Sequence, residues 1–258
     1  MNSIERIKNA FCKKAFIPFI TGSDPDIETT ERLIFTLAEA GADIIEIGIP
    51  FSDPVAEGPV IEAADERALK AGCTVDKLFD MVKKIRKDIK IPLLFMTYYN
   101  PIFGYGAERF VSRCVDSGID GLIVPDLPFD ERDELKIFTD KAEIALISLI
   151  APTSGDRTPT IAAASEGFLY CVSSLGVTGT RDSLGNHAKA MIDRVKCVSD
   201  IPCAVGFGVS TPEAAVAAVS YADGVIIGSA IVKIVAKYGK ESISHVKDFA
   251  ESIVKIIN

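Results

Sequence analysis

Three acids crowd one short apolar stretch, Glu46-Ile-Gly-Ile-Pro-Phe-Ser-Asp-Pro-Val-Ala-Glu-Gly-Pro59. Ala42 to Ile49 reads as a buried strand built on Ile44, Ile45, Ile47 and Ile49, so Glu46 is a carboxyl set inside a segment that seeks the core. An unpaired carboxylate there is costly and its pKa rises, which suits general acid/base work. The alternative is a buried Glu paired with a Lys or Arg. Asp53 and Glu57, on the Pro- and Gly-shaped loop that follows, weigh towards function.

Composition narrows the chemistry further. At 258 residues and 48% hydrophobic content, with no linker-like tract, the chain is expected to form one domain over 1–258. A net charge of -8 without a sustained Lys/Arg run argues against nucleic acid and anionic membranes as partners. Cys12, Cys73, Cys114, Cys171, Cys197 and Cys203 form no CxxC pair, as expected of reduced thiols in a cytoplasmic protein. His187 and His245 are the only histidines and stand far apart, which gives neither a zinc site nor a Ser-His-Asp triad. No metal is therefore expected, and catalysis rests on carboxylates. The amino-terminal segment reads as an amphipathic helix, not a signal peptide, and the apolar region 214–236 is interrupted by Tyr221-Ala-Asp-Gly224 and Lys233.

The elements that must position these acids alternate. Apolar runs at Phe16–Thr21, Ile44–Ile49, Pro92–Thr97, Gly121–Pro125, Ile144–Ile150, Phe168–Ser173, Cys203–Gly206 and Gly224–Ile227 are candidate strands. Helical periodicity separates them at Glu28–Ala40, Val75–Lys87, Ala107–Ser117, Asp130–Lys141, Thr158–Ala164, His187–Val198 and Pro212–Val219, with Gly41 and Gly118 as stops. The junctions Glu39-Ala-Gly-Ala-Asp-Ile-Ile, Asp116-Ser-Gly-Ile-Asp-Gly-Leu-Ile and Tyr221-Ala-Asp-Gly-Val-Ile-Ile resemble one another, as in a repeated helix-strand unit. The pattern predicts an α/β fold, a (β/α)8 barrel with an extra N-terminal helix; an open doubly wound sheet is the alternative. In a barrel, function sits after the strands. Thr21, Asp24, Tyr98, Tyr99, Asn100 and Asp126 fall there, and the glycine-rich segment 176–185 after the sixth strand suits a lid.

The last two strands point to an anion. Gly206-Phe-Gly-Val-Ser-Thr-Pro212 runs into a helix with Ser210 or Thr211 as N-cap, and Gly228-Ser229 opens another. Helix amino ends favour negative charge, and these two barrel loops frequently bind phosphate. Gly206, Phe207, Gly208, Gly228 and Ser229 are thus phosphate candidates, with Gly179 as a further backbone donor. The expected ligand is a small phosphorylated molecule reaching towards Glu46.

Taken in order, Phe16-Ile-Pro-Phe-Ile-Thr, the Glu46–Pro59 motif, Gly176-Val-Thr-Gly179, Gly206-Phe-Gly-Val-Ser210 and Gly228-Ser-Ala-Ile-Val232 resemble the tryptophan synthase alpha family over essentially the whole chain. The resemblance implies retro-aldol cleavage of indole-3-glycerol phosphate to indole and glyceraldehyde 3-phosphate, with no metal or organic cofactor in this chain. It implies a beta-subunit partner carrying pyridoxal phosphate. By motif position, Glu46 is the general acid/base and Glu57 stands at the indole nitrogen; Phe19, Tyr98, Tyr170 and Thr178 line the ring site. Asp53 shapes the Glu57 loop, and Pro50, Phe51, Asp53, Asn100, Pro101 and Asp126 fall at interface positions. Three departures from the family's habit stand out: Glu57 for Asp, Ser174 for Arg, and Thr21-Gly-Ser-Asp for Thr-Ala-Gly-Asp. Glu57 is what a non-catalytic, partner-binding subunit would display. Related phosphate-binding barrels of the same pathway are expected to lack the Glu46–Pro59 motif.

Overall fold

Seven consecutive buried residues, Ala15–Thr21, form the first strand, and apolar runs of the same kind close the sheet on itself. The structure, a computed structural model, describes residues 2–172, 181–206 and 208–258, with 181–186 by backbone alone. Eight parallel strands make a closed barrel in sequence order: β1 (Ala15–Thr21), β2 (Ile45–Gly48), β3 (Leu93–Met96), β4 (Gly121–Ile123), β5 (Ala145–Ile150), β6 (Leu169–Val172), β7 (Cys203–Gly206) and β8 (Gly224–Ile227). The open-sheet alternative is thereby excluded. Around them run α1 (Ser3–Asn9), α2 (Ile27–Glu39), α3 (Pro59–Lys70), α4 (Val75–Ile85), α5 (Tyr99–Tyr105), α6 (Ala107–Ser117), α7 (Asp133–Ala142), α8 (Thr158–Ala163), α9 (Arg181–Lys196), α10 (Pro212–Val219), α11 (Ser229–Tyr238) and α12 (Ser242–Ile257). None of these helices is long and apolar enough to cross a membrane.

Alternation along each strand sorts side chains into two shells. Ala15, Ile17, Ile44, Leu94, Ile123, Ala145, Ile147, Tyr170, Ala204 and Ile226 fill the barrel, while Ile45, Ile47, Leu93, Phe95, Leu122 and Val225 meet the helices. Ile7 of α1, fully buried, plugs the amino end, where Phe11 meets Phe168 with ring centroids 5.4 Å apart.

The repeated junctions have a structural meaning. Asp43, Asp120 and Asp223 each precede a strand and accept an N–H at the start of the neighbouring strand: Phe16 at 3.0 Å, Leu93 at 2.9 Å and Cys203 at 2.8 Å. Each also meets a cation: Lys13 at 3.2 Å on Asp43, Arg6 at 2.8 Å and Arg86 at 2.9 Å on Asp120, Lys196 at 2.7 Å on Asp223. The repeat is thus a register lock at the barrel floor. Gly41 and Gly118 take positive φ at the helix ends, as expected of stops.

Two helix starts moved by three residues or more. The helix expected from Asp130 starts at Asp133 because Phe129–Glu131 forms a 3-10 turn, and the one expected from His187 starts at Arg181. Three helices were not read from the sequence. α5 went unread between better-marked segments, α12 went unread after the last strand and α11, and α3 begins with a Pro directly behind the motif loop.

Candidate active site

Glu46 sits in mid-strand, paired in register with Phe19 of β1 and Leu94 of β3, on the same inward face as Ile44. It is 0% exposed, and neither carboxyl oxygen has a hydrogen-bond partner among the described residues. No Lys or Arg among the described residues pairs with it, so the ion-pair alternative finds no support there. Burial alone lifts its pKa well above the ordinary value of 4.5, so the group is held protonated far up the pH scale. Tyr170 of β6 is also buried, and its phenol is raised first by burial and then by the Glu46 charge, which places the two within electrostatic reach.

Glycines open room for the aromatic walls. A Cβ on Gly48 would lie 2.6 Å from Phe19 Cζ, and one on Gly228 3.1 Å from Phe19 Cδ1, so Phe19 rests in a cradle built from β2 and the end of β8. A Cβ on Gly206 would lie 2.6 Å from Tyr170 Cε1. Gly206 and Gly228, expected as phosphate donors, therefore also have a packing reason to be glycine. Phe19 clusters with Ile61 and Ala64 of α3 and Val232 of α11, which ties the Glu57 side of the mouth to the β8 side.

Glu57 ends the loop that leaves β2, just before α3. It is half-buried, its Oε2 is buried without a partner among the described residues, and its pKa is raised, chiefly by burial. Tyr98 holds this loop: its Oη accepts the Ala56 N–H at 3.0 Å, and its proximity favours the Glu57 anion. Asp65, one of the buried residues of α3, lies within electrostatic reach of Glu57. Burial and then the Glu57 charge push Asp65 up to about 8. α3 itself is clamped by Arg67, which grips Asp24, in the loop after β1, through two hydrogen bonds of 2.9 and 2.7 Å. The sequence reading missed Asp65 and Arg67. The signal was the stripe Ile61, Ala64, Asp65, Ala68, which carries an acid on an apolar helical face. Thr21 and Thr97 add buried hydroxyls without partners among the described residues, at the carboxyl ends of β1 and β3.

At the far side, Thr211 caps α10 by accepting the Ala214 N–H at 3.3 Å, so that helix satisfies part of its own amino end. α11 differs: Gly228 precedes it, no side chain caps it, and Ser229 is exposed at its first position. Gly208 is exposed with φ +83. Thr178, Gly179 and Phe207, with Ser174, lie outside the described residues.

The interface candidates lie on adjoining loops. Phe51 is half-buried with its ring centroid 5.5 Å from that of Tyr98, Asp53 is exposed and accepts from Ser52, and Asp126 is exposed and accepts the Tyr99 N–H at 2.8 Å. Asn100 and Pro101 lie in α5, not in a loop. Pro50 needs correction as a contact position, because it is already buried inside the chain and shapes the turn instead. Two apolar residues nearby were missed: Val55, in the loop after β2, is 79% exposed and Phe103, in α5, 70%.

A closed barrel with carboxyls and aromatic walls on one side and a helix without a side-chain cap after β8 defines the class, a (β/α)8 barrel. A model of the tryptophan synthase alpha chain family matches residues 6–257. The tryptophan synthase alpha chain of Lacticaseibacillus casei is 48% identical over 240 residues, 93% of this chain and 90% of that one. The alpha chain of Halalkalibacterium halodurans is 50% identical over 230 residues, 89% and 87% of the two chains. Among solved structures, tryptophan synthase subunit alpha from Legionella pneumophila superposes with a TM-score of 0.90 at 36% identity, covering 100% of this chain and 98% of that one. A chain of the tryptophan synthase complex from Pyrococcus furiosus gives 0.86 at 36% identity, covering 95% and 99%. The chain therefore belongs to the tryptophan synthase alpha chain family. Membership gives it an enzyme's role, that of a lyase in tryptophan biosynthesis.

Proposed function

We propose that this chain, acting as one catalytic unit over 1–258 in the cytoplasm, cleaves indole-3-glycerol phosphate by a retro-aldol reaction. Protonated Glu46 delivers its proton to indole C3, leaving a positive charge on the ring nitrogen. The Glu57 carboxylate, whose Oε2 is unpartnered among the described residues, accepts the indole N–H and stabilises that charge. The side-chain hydroxyl then returns a proton to Glu46, the carbon–carbon bond breaks with its electron pair passing to the ring, and indole and glyceraldehyde 3-phosphate form. Protons and electrons balance without a metal or organic cofactor in this chain.

Phe19, Tyr98 and Tyr170, with Thr178, hold the ring. The phosphate lies at the amino end of α11, on Gly228 and Ser229, with Gly206, Phe207, Gly208 and Gly179 closing round it. The partner is a beta subunit, which carries pyridoxal phosphate and docks on Phe51, Asp53, Asn100, Pro101 and Asp126, with Pro50 beneath. Val55 and Phe103 belong to the same surface.

The observation that supports this reading most is Glu46 itself, fully buried on the inward face with both oxygens unpartnered among the described residues. Indole release from indole-3-glycerol phosphate, measured with and without a beta subunit, tests it. Cleavage is expected in both conditions. No cleavage in either refutes the reading and leaves a subunit that only binds its partner, as Glu57 in place of Asp would allow.

A further inference from the structure

The loop that carries Glu57 runs from Ile49 to Gly58, and one short turn after β1, residues 22–24, fastens both of its ends. Before the loop, the Gly22 N–H donates to the Gly48 carbonyl at 2.8 Å. Behind it, the Asp24 carboxylate accepts from Arg67 Nε at 2.9 Å and Nη2 at 2.7 Å, so a planar fork from α3 closes on both oxygens.

The turn is built to hold still. A Cβ on Gly22 would lie 3.0 Å from the Gly48 carbonyl oxygen and 2.8 Å from Leu78 Cδ2, so the two backbones meet closely there. Ser23 takes φ +67, a region that a residue with a Cβ disfavours, and its N–H is held by Thr30 Oγ1 at 2.8 Å. Such strain persists only where the surroundings over-determine the backbone. Asp24 follows, 2% exposed, and Arg67 supplies the cation that a buried carboxylate requires.

α3 rests on a smoother footing. Ala64 and Ala68 are fully buried, and Ile61 and Ala64 pack with Phe19 and Val232. An apolar face settles which side of a helix turns inward, but its attraction is non-directional and resists sliding weakly. The fork on Asp24 is directional, and it fixes where α3 stands along its axis. Because the helix begins at Pro59, directly behind the Glu57 loop, that setting passes straight to Glu57.

We propose that Arg67 is a positioning residue: its fork on Asp24 sets α3 along its axis and thereby aims Glu57 into the barrel mouth. The inference rests on the assignment of Glu57 to the indole nitrogen. Arg67 itself touches no reacting atom. It acts through the carboxylate it steers, for which a displacement of about 1 Å costs on the order of 10²-fold in rate.

Two measurements on the full chain decide the matter. The first is amide hydrogen exchange at Ala56, whose N–H bonds to Tyr98 Oη, compared with Phe16, Leu93 and Cys203 on the barrel floor. Arg67→Lys keeps the charge and loses the fork, so Ala56 should exchange about tenfold faster or more, in excess of any change at the floor. Unchanged exchange at Ala56, or an equal rise at the floor, overturns the inference whether or not the chain turns over. The second is the kinetics of indole release, in which Arg67→Lys should lose about tenfold in kcat with KM within about twofold. The double variant Asp24→Asn, Arg67→Met leaves no buried charge unpaired and is expected to fold, yet its kcat should stay about tenfold down and Ala56 should exchange fast. A merely structural pair gives wild-type kcat in Arg67→Lys or in the double variant, and either result overturns the inference. Absence of indole release by the wild type refutes the proposed reaction instead, and exchange at Ala56 still decides whether Arg67 holds the loop.

Discussion

Asp120 at the barrel floor and Glu46 at its mouth are both buried carboxyls, and they are treated in opposite ways. Asp120 is held by Arg6, Arg86 and the Leu93 N–H, and Asp43 and Asp223 repeat the pattern with one Lys each. Glu46 has no partner among the described residues, and the unpartnered oxygens of Thr21, Thr97 and Glu57 lie on its side of the barrel. At one end cations and N–H groups offset burial in part, the Asp120 pKa still being raised by it, and the acids fix register. At the other it is left uncompensated, so the acids stay reactive and the cost falls on stability.

The largest expected effect reads this contrast in both directions. Glu46→Gln should cut indole release by about 10³-fold, since general acid/base groups contribute on the order of 10²–10⁴. The same change should raise thermal stability at neutral pH. The sign follows from linkage: the folded state binds the Glu46 proton more tightly than the unfolded chain, so wild-type stability falls as pH rises above the ordinary 4.5. Gln carries no such penalty, and its advantage in melting temperature should vanish at pH below 4.5. Asp120→Ala should behave conversely. It leaves two guanidiniums facing a void and should cost about 3–5 kcal/mol in denaturant unfolding, while indole release per folded molecule is retained. A destabilised Glu46→Gln, or an inactive but stable Asp120→Ala, would undo the division between floor and mouth.

Much of that division was legible beforehand, and the rest was not, for identifiable reasons. The strands were readable because residues buried on both faces leave continuous apolar runs such as Ala15–Thr21, and Glu46 stood out against one. The aspartates of the three similar junctions were visible as a repeat, yet their purpose was not, because it lies in N–H groups of a neighbouring strand. Asp65 and Arg67 escaped for the same reason. Each is an ordinary helix residue until the fold brings Glu57 within electrostatic reach of the one and Asp24 against the other, and local periodicity carries no record of such pairings. The phosphate glycines were legible as a motif, but their part in seating Phe19 and Tyr170 depends on strand register.

The glycines give the smallest effects and separate packing from backbone conformation. Gly206→Ala puts a methyl 2.6 Å from Tyr170 Cε1, so the ring must turn away from the site wall. Overpacking of this kind costs about 1–3 kcal/mol, and KM for indole-3-glycerol phosphate should rise with it. Gly208→Ala meets nothing within 4 Å, but its φ of +83 is one that an L side chain rarely adopts. Its cost is therefore conformational alone, about 1 kcal/mol in denaturant unfolding. Because no side chain is displaced, the ring site stays intact, and any rise in KM should be matched by weaker binding of inorganic phosphate. In Gly206→Ala, by contrast, the backbone N–H stays, so KM should rise with phosphate binding little changed. Equal phosphate losses in the two variants would mean that the methyl at 206 disturbs the anion site itself and not only Tyr170.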